Sequence, residues 1–244
     1  MHIDTHVHLL ISKKQEKPDY KNINSMLDNA KASGISTICI TEHIESVGYD
    51  LLMTEIFVEN ILDGELFSDH VLTKQGIKLY PGAELQLENG TNIGVHTSLD
   101  AIMKLKHDEG AYTLSELVKE LASTNKWYYL VAHHVFWPNK TYPNHDELSI
   151  YVNAIEIPAK DLDNAKKYIE LADKYNLPTI GGSDAHTFIQ IGACYTELHN
   201  IPICEEHPLN YVSQSNYRNH RFSDFSKRLV EMSKIFRTTQ IIQE

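Results

Sequence analysis

The chain has 244 residues, of which 42% are apolar and 23% are charged, a composition that suits one large α/β domain or two small ones. No stretch approaches the roughly 20 apolar residues that a membrane span needs, and no basic segment followed by an apolar run opens the chain, so we expect a cytoplasmic protein without a membrane partner. The formal net charge of −11 at pH 7 argues against a nucleic-acid groove, which needs clustered lysines and arginines, so nucleic acid is predicted to be an unlikely partner.

Short β-branched runs alternate along the chain with segments of helical period, a pattern typical of parallel strands joined by helices. The predicted strands are 2–8, 35–41, 77–84, a weaker one at 92–97, 127–133, 153–157 and 178–184. The predicted helices are 22–33, 54–74, 113–124, 160–175 and a less distinct one near 222–236. No repeat and no long linker interrupts this alternation, which predicts a single α/β domain built as a barrel or a sheet.

Ionisable side chains cluster where the predicted strands end. The clusters are His6 with His8, Glu42 with His43, Glu84, His133 with His134, and Asp184 with His186. In parallel α/β architectures, the carboxyl ends of the strands form the rim at which active sites develop. We therefore expect these segments to converge on one pocket.

The residue types and spacings in these clusters indicate metal binding. His6 and His8 are two residues apart on an extended segment, so both imidazoles point to one face and can bind one ion. Asp184 and His186 repeat this spacing, and Glu84 can bridge two cations through its two oxygens. Taken singly, each cluster has a simpler interpretation, such as a half-exposed strand histidine or a capping aspartate. Their joint occurrence at successive strand ends favours a shared metal site.

In chain order, the motifs IDTHVH, TEH, GAE, AHH and GSDAH resemble the signature of the PHP family, the polymerase and histidinol phosphatase domains. The resemblance runs from residue 3 to about residue 195. It implies a single-domain, distorted (β/α)7 TIM-like barrel over residues 1–244, in which residues 200–244 complete or cover the barrel. It also implies two or three divalent metal ions (zinc, manganese or iron) and a histidinol-phosphatase-like phosphoric ester hydrolase.

The same resemblance implies a set of metal ligands. The first ion would be held by His6, His8, Glu84 and Asp184, the second by Glu84, His133 and His96, and a third by His43 and His186. Two departures from the family pattern bear on this set. Glu42 stands where the family usually has an aspartate, and Lys13 and Lys14 occupy positions where an acidic residue or a histidine commonly follows the first motif. A third site is then weak, absent or completed by another group such as Glu16.

Two cations about 3.5–4 Å apart can hold a hydroxide between them and stabilise an in-line displacement at phosphorus. In such a phosphatase, Asp184 or His186 would protonate the leaving oxygen. His134, Arg218 and Arg221 are the candidates for contact with a small phosphorylated substrate. A solvated tail is the somewhat stronger interpretation of the two arginines, and His134 is equally compatible with simple packing. The apolar content leaves room for a homo-oligomer.

Two other functions are compatible with the same residues. An amidohydrolase also begins with two histidines at this spacing and ends with a metal-binding aspartate, but it hydrolyses C–N or C–O bonds. The middle motifs TEH and GAE favour the phosphoesterase over it. The other function is that of a non-catalytic metal-binding barrel that serves as a partner module, because metal ligands alone do not demonstrate turnover.

Overall fold

Strands and helices alternate along most of the chain, as the sequence pattern predicts. The computed structural model describes residues 1–138, 140, 142–199, 206–212, 218–221 and 223–241, with only the backbone described for 218–221. Its strands are β1 (His2–Val7), β2 (Thr37–Ile40), β3 (Glu65–Leu66), β4 (Val71–Leu72), β5 (Lys78–Tyr80), β6 (Gly82–Gln86), β7 (Asn92–Thr97), β8 (Tyr128–His133), β9 (Ala154–Pro158), β10 (Thr179–Gly182), β11 (Tyr195–Leu198) and β12 (Arg218–Arg221). Its α-helices are α1 (Tyr20–Ala32), α2 (Tyr49–Phe57), α3 (Leu99–Ile102), α4 (Leu114–Ser123), α5 (His145–Tyr151), α6 (Ala165–Lys174) and α7 (Asp224–Ile241). Short 3-10 helices cover Ala159–Asn164 and Pro208–Tyr211.

The strands form two hydrogen-bonded sheets. The larger sheet has seven strands in the order β12-β11-β1-β2-β5-β4-β3, and the smaller sheet has five in the order β10-β9-β8-β7-β6. β1, β2 and β5 run parallel, as do β8, β9 and β10, whereas β6, β7 and β8 are antiparallel. Isolated parallel bridges pair Val7 with Ala185 and His43 with Glu84, and each bridge links the two sheets.

The prediction of a single mixed α/β domain is confirmed, but the strands of the described residues do not close into one hydrogen-bonded barrel. The free edge of β2 is taken by β5, to which the antiparallel strands β4 and β3 are added. The predicted strand 77–84 is divided at Pro81, which has no N–H to donate to a ladder. Its two halves, β5 and β6, therefore belong to different sheets.

The predicted helix 54–74 is wrong, because α2 begins earlier and ends at Phe57. Asn60 and Asp63 adopt left-handed backbone conformations, with φ of 56° and 49°. A helix cannot continue through such residues, since the left-handed region reverses the chain direction. The chain instead forms the short antiparallel pair β3 and β4.

Helices pack on the outer faces of the sheets and fix the positions of the strand ends. α1 buries Ile23, Met26, Leu27 and Ala30, which lie at the three- and four-residue spacing of one helix face. Asp19 caps this helix, and its side chain accepts hydrogen bonds from two backbone N–H groups of the first turn. This packing seats the loop between β1 and α1 beside the ends of β1 and β2.

The described part of the C-terminal region contributes an edge strand and a long helix. β12 pairs antiparallel with β11 at the edge of the larger sheet. α7 is fastened by a 2.8 Å hydrogen bond between the hydroxyls of Thr187 and Ser233, and Arg237 Nε donates to the Ile11 carbonyl oxygen at 2.7 Å. Among the described helices, none combines the length and the apolar character that a membrane crossing requires.

Candidate metal centre

The ionisable clusters predicted at the strand ends do meet in one place. β1 carries His6 and places His8 immediately after its end, and β8 ends at His133. Glu84 lies within β6, and Asp184 follows β10 by two residues. These strand ends are brought together where the two isolated bridges link the sheets. Residues that are far apart in sequence therefore share one buried cluster.

Glu84 is the hub of this cluster, with 1% of its surface exposed. Its Oε1 lies 2.9 Å from His133 Nδ1, 3.4 Å from His6 Nε2 and 3.4 Å from His134 Nε2, and its Oε2 lies 3.1 Å from His43 Nδ1 and 3.8 Å from His8 Nε2. Each oxygen therefore faces a different group of imidazoles. This is the arrangement that a carboxylate bridging two cations needs.

Asp184 forms the opposite wall of the cluster. It adopts a left-handed conformation with φ of 50°, which turns the chain sharply after β10. Its carboxylate lies 2.7 Å from Lys160 Nζ, 3.4 Å from His8 Nε2 and 3.6 Å from both His134 Nε2 and His186 Nδ1. Asp184 is thus placed between an ammonium group and the histidines.

Glu156 is a member of the centre that was not predicted from the sequence. It lies in β9 with 0% exposure, and its Oε1 is 2.6 Å from His6 Nδ1. Its other oxygen lies 3.5 Å from His134 Nδ1. A hydrogen bond at Nδ1 leaves His6 Nε2 directed at Glu84, so Glu156 orients this imidazole. The signal that could have found it is an acidic residue inside the apolar run Ala154–Pro158, because an isolated buried carboxylate is costly.

In the part of the chain that the structure describes, four groups of three side chains place their ligand atoms within 4.8 Å of one another. The groups are His8 with His43 and His186, His6 with His134 and Asp184, His6 with His133 and Glu156, and His6 with His8 and Glu84. Imidazole and carboxylate donors of this kind suit zinc, manganese and iron. The donor set therefore fits divalent metal ions.

Two further observations support this fit. His6 Nε2 and His8 Nε2 are 3.1 Å apart, a distance at which two ring nitrogens require a shared proton or a cation between them. His133 Nε2 is buried without a hydrogen-bond partner among the described residues. Buried polar atoms are normally paired, so such an atom at the centre of a histidine cluster indicates a ligand position.

The charge state of the cluster also suits cations. Burial raises the pKa of Glu84, but the surrounding imidazoles, His6 first, hold it well below its usual range. Burial also raises the pKa of Asp184. The Lys160 ammonium and the neighbouring histidines together outweigh this effect and hold the pKa well below its usual range. Burial lowers the pKa of His6 and of His43 to about 3. Ionised carboxylates and neutral imidazoles are the forms that bind metal.

His8 and His134 differ from the other histidines. Burial lowers the pKa of His8, but hydrogen bonds with Asp184 and Glu42 more than offset this and raise the pKa to about 9. The pKa of His134 is also raised, because Glu84 and Glu156 outweigh burial. The metal-free cluster therefore holds a proton at His8 near neutral pH. Binding of a cation at His8 must displace this proton.

The surroundings of the third predicted site differ from expectation. Glu16 is exposed and belongs to none of the four groups. Lys13 forms an ion pair of 2.5 Å with Glu45, whose carboxylate also lies 4.0 Å from His43 Nδ1. Glu45, which was not singled out in the sequence, is thus a second acidic group near His43, farther from it than Glu84.

Of the remaining predicted site residues, His134 joins the cluster and His96 does not. His96 lies in β7 with 0% exposure, and neither of its ring nitrogens has a hydrogen-bond partner among the described residues. It belongs to none of the four groups. The side chains of Arg218 and Arg221 lie outside the described residues. His134 does lie at the centre, stacked on Trp137 with the ring centroids 4.3 Å apart.

Comparison with known proteins places the chain among similar folds. The structure of PsfC from Pseudomonas syringae PB-5123 is 46% identical, covers 98% of both chains and superposes with a TM-score of 0.89. A family model described as PHP-associated matches residues 164–208. Comparison with curated protein sequences finds no match.

Two structures of endonuclease Q share the fold at low identity. The lesion-specific endonuclease PfuEndoQ from Pyrococcus furiosus is 13% identical with a TM-score of 0.63, and an endonuclease Q complex with a 27-mer duplex carrying an abasic lesion at the active site is 14% identical with a TM-score of 0.58. Each alignment covers 90% of this chain and 58% of the other.

The second of these structures contradicts the prediction that nucleic acid is an unlikely partner, because it shows a duplex at the active site of this fold. The net charge of −11 describes the whole chain, whereas contacts with phosphates depend on local cations. Overall charge therefore does not exclude nucleic acid for such a centre.

Proposed function

Because the chain belongs to the PHP family, we propose that it is a metal-dependent hydrolase that cleaves phosphate esters. The observation that carries this proposal is the position of Glu84, whose two oxygens face separate groups of imidazoles inside a buried cluster. A carboxylate so placed can hold two cations side by side. Paired cations are the usual means of stabilising displacement at phosphorus.

We assign His6, His8, Glu84 and Asp184 to the first ion, and Glu84 and His133 to the second. Glu156 either joins the second group or orients His6, and both roles make it necessary for metal binding. A third ion would bind at His8, His43 and His186, beside Glu45. Zinc, manganese and iron all suit these ligands.

When bound, the metal ions supply Lewis-acid chemistry at the phosphoryl group and activate the attacking water. The chain's own residues position and transfer protons. Lys160 holds the Asp184 carboxylate in place at 2.7 Å. The low pKa values of Asp184 and His186 favour a ligand role for these residues over proton donation. His134, whose pKa is raised, is the better candidate to protonate the leaving oxygen.

The proposed phosphoesterase activity has two alternatives, which are hydrolysis of C–N or C–O bonds and a non-catalytic metal-binding role. One series of assays separates the three. Protein purified without chelator would be analysed for metal and tested on an aryl phosphate monoester, a phosphodiester, an amide and a lactone. We expect two or more ions per chain and chelator-sensitive release of phosphate or of the aryl alcohol. Turnover of the amide or lactone alone would replace the proposal with an amidohydrolase activity, and bound metal without turnover would favour the non-catalytic role. A chain that binds no metal on titration would overturn it.

A further inference from the structure

Among the described residues, four lysine and arginine side chains near the centre differ in what they contact. Lys160 is paired with Asp184 at 2.7 Å, and Lys13 is paired with Glu45 at 2.5 Å, so the charges of both are compensated. Arg237 donates to the Ile11 carbonyl oxygen and fastens the loop after β1. The fourth is Lys140, for which no carboxylate of the described residues lies at ion-pair distance.

Lys140 is held in place from two directions. Its backbone N–H donates to the Trp137 carbonyl oxygen at 3.0 Å, and the Trp137 N–H donates to the His134 carbonyl oxygen at 2.8 Å. Its ammonium donates to Gln86 Oε1, and at 2.9 Å to Asn92 Oδ1. These backbone hydrogen bonds connect His134, in the centre, to Trp137 and then to Lys140. The Lys140 side chain is in turn hydrogen-bonded to residues of β6 and β7.

The strand register places this ammonium beside the metal ligands. Gln86 is two residues after Glu84 on β6, so the two side chains share a face about 7 Å apart along the strand. Gln86 pairs with Asn92 across β6 and β7, and Asn92 pairs with His133 across β7 and β8. The Lys140 ammonium is therefore held by residues that neighbour Glu84 along β6 and His133 across β7 and β8.

The electrostatic surroundings agree with this position. Burial lowers the pKa of Lys140, and Glu84 is the carboxylate that most opposes this effect. An ammonium has three N–H donors, and among the described residues two of them are taken by neutral amide oxygens. Within the described part of the chain, one N–H donor and the positive charge are thus left without a protein partner.

We propose that Lys140 binds an anionic phosphoryl oxygen of the substrate and thereby contributes to its specificity. The assignment rests on the proposed function in one respect, since it takes the bound anion to be a phosphoryl group. Gln86 and Asn92 act as positioning residues, because they hold the ammonium without neutralising it. A lysine with neutral partners retains its attraction for an anion, whereas a lysine paired with a carboxylate does not.

The test is the affinity of the metal-loaded protein for inorganic phosphate, measured by titration calorimetry. A charge-assisted hydrogen bond contributes enough that K140Q should weaken phosphate binding by about 10- to 100-fold. K140R keeps the charge and should bind phosphate more tightly than K140Q. The matched control is K166Q, which removes a lysine that is 85% exposed on α6 and should bind phosphate as the unaltered protein does. Metal content is measured on every variant.

Phosphate binding by K140Q equal to that of the unaltered protein would overturn the proposal, as would the absence of phosphate binding by the unaltered, metal-loaded protein. Loss of metal from both K140Q and K140R would also overturn it, since Lys140 would then support the ligands and not the anion. Where an ester is hydrolysed, K140Q should raise KM more than it lowers kcat. If no ester is hydrolysed but phosphate binds, the proposed function fails while the comparison of Lys140 variants still decides the anion site.

Discussion

The described residues include two sets of buried or half-buried histidines, and only one of these sets has the properties of a metal centre. The first set surrounds Glu84 at the strand ends. The second is the pair His96 and His207, whose electrostatic interaction lowers the pKa of His96. His207 packs against the rings of Trp127 and Tyr80, with centroids 4.4 and 4.3 Å away.

Each set combines fully buried and half-buried imidazoles, so burial does not distinguish the two sets. Burial lowers the pKa of His96 well below its usual range and that of His207 to about 3, as it does for His6. The difference lies in the carboxylates. Glu84 and Asp184 lie among the first set, whereas no carboxylate of the described residues forms an ion pair with His96 or His207. Carboxylate neighbours therefore distinguish the metal centre from the second set of histidines.

The largest effect is expected from Glu84→Gln. The amide keeps the shape of the side chain but cannot bridge two cations as a carboxylate does. Loss of an outer partner of a metal ligand costs about 10- to 100-fold in affinity, and loss of a bridging ligand should exceed that range. Elemental analysis should show at most half the metal of the unaltered protein, with hydrolysis lowered by more than about 100-fold.

Glu88→Gln is the matched control for this variant, because Glu88 is exposed four residues further along the same segment. It should keep both metal and activity. Circular dichroism should show that Glu84→Gln remains folded. Full metal content in a folded Glu84→Gln protein would remove the carboxylate from the centre and break the comparison.

A second effect concerns pH and arises from His8. Its pKa of about 9 in the metal-free protein exceeds the ordinary value of 6.5, so its proton contributes stability that is complete below pH 6.5 and is lost as the pH rises through about 9. A cation must displace this proton, so metal affinity should rise about tenfold per pH unit below 9. His6 and His43, with pKa values of about 3, add nothing to this slope near neutral pH.

Chelator competition at pH 6.5, 7.5 and 8.5 measures this dependence. The apparent dissociation constant for manganese or zinc should fall by about 100-fold across the series. Calorimetry in buffers of different ionisation enthalpy should detect the released proton. An affinity that does not change between pH 6.5 and 8.5 would show that metal binding displaces no proton from His8 in this range and would contradict its raised pKa.

Glu156→Gln should have a smaller effect than Glu84→Gln. The Gln amide can still approach His6 Nδ1, but it cannot offer the charge that makes this imidazole a stronger ligand. Metal affinity should fall by about 10- to 100-fold, which is the range measured for partners of this kind. Glu170→Gln, at an exposed position of α6, controls for loss of one negative charge. Equal affinity in the two variants would contradict the orienting role of Glu156.

His8, His133 and Asp184 were predictable because each stands at or shortly after the end of a local apolar run. Glu156 lies inside β9 and not at its end, so the pattern of ionisable residues at strand ends does not find it. Lys140 and Lys160 could not be predicted, since their relation to Glu84 and Asp184 depends on how separate loops fold over the rim.

The fold likewise has features that neighbouring residues determine and features that depend on contacts between distant segments. α1 follows from its apolar spacing and its Asp19 cap, both of which are written in neighbouring residues. The closed barrel was inferred from a resemblance, and the described strands instead form two sheets because β5 takes the edge of β2. The pairing of a strand depends on which distant segments pack beside it, so the sequence pattern of one segment does not determine it.

The smallest effect is expected from His96→Leu, which replaces a buried imidazole by an apolar side chain of similar size. An unpaired buried polar group costs about 1–3 kcal/mol, so its removal should leave the free energy of unfolding unchanged or increased. Metal content should equal that of the unaltered protein, because no carboxylate of the described residues completes a ligand group with His96. His133→Leu is the matched comparison, since His133 is equally buried but lies 2.9 Å from Glu84, and it should lose metal. A folded His96→Leu protein that loses metal would place His96 in the centre and show that carboxylate neighbours are not required to identify a ligand.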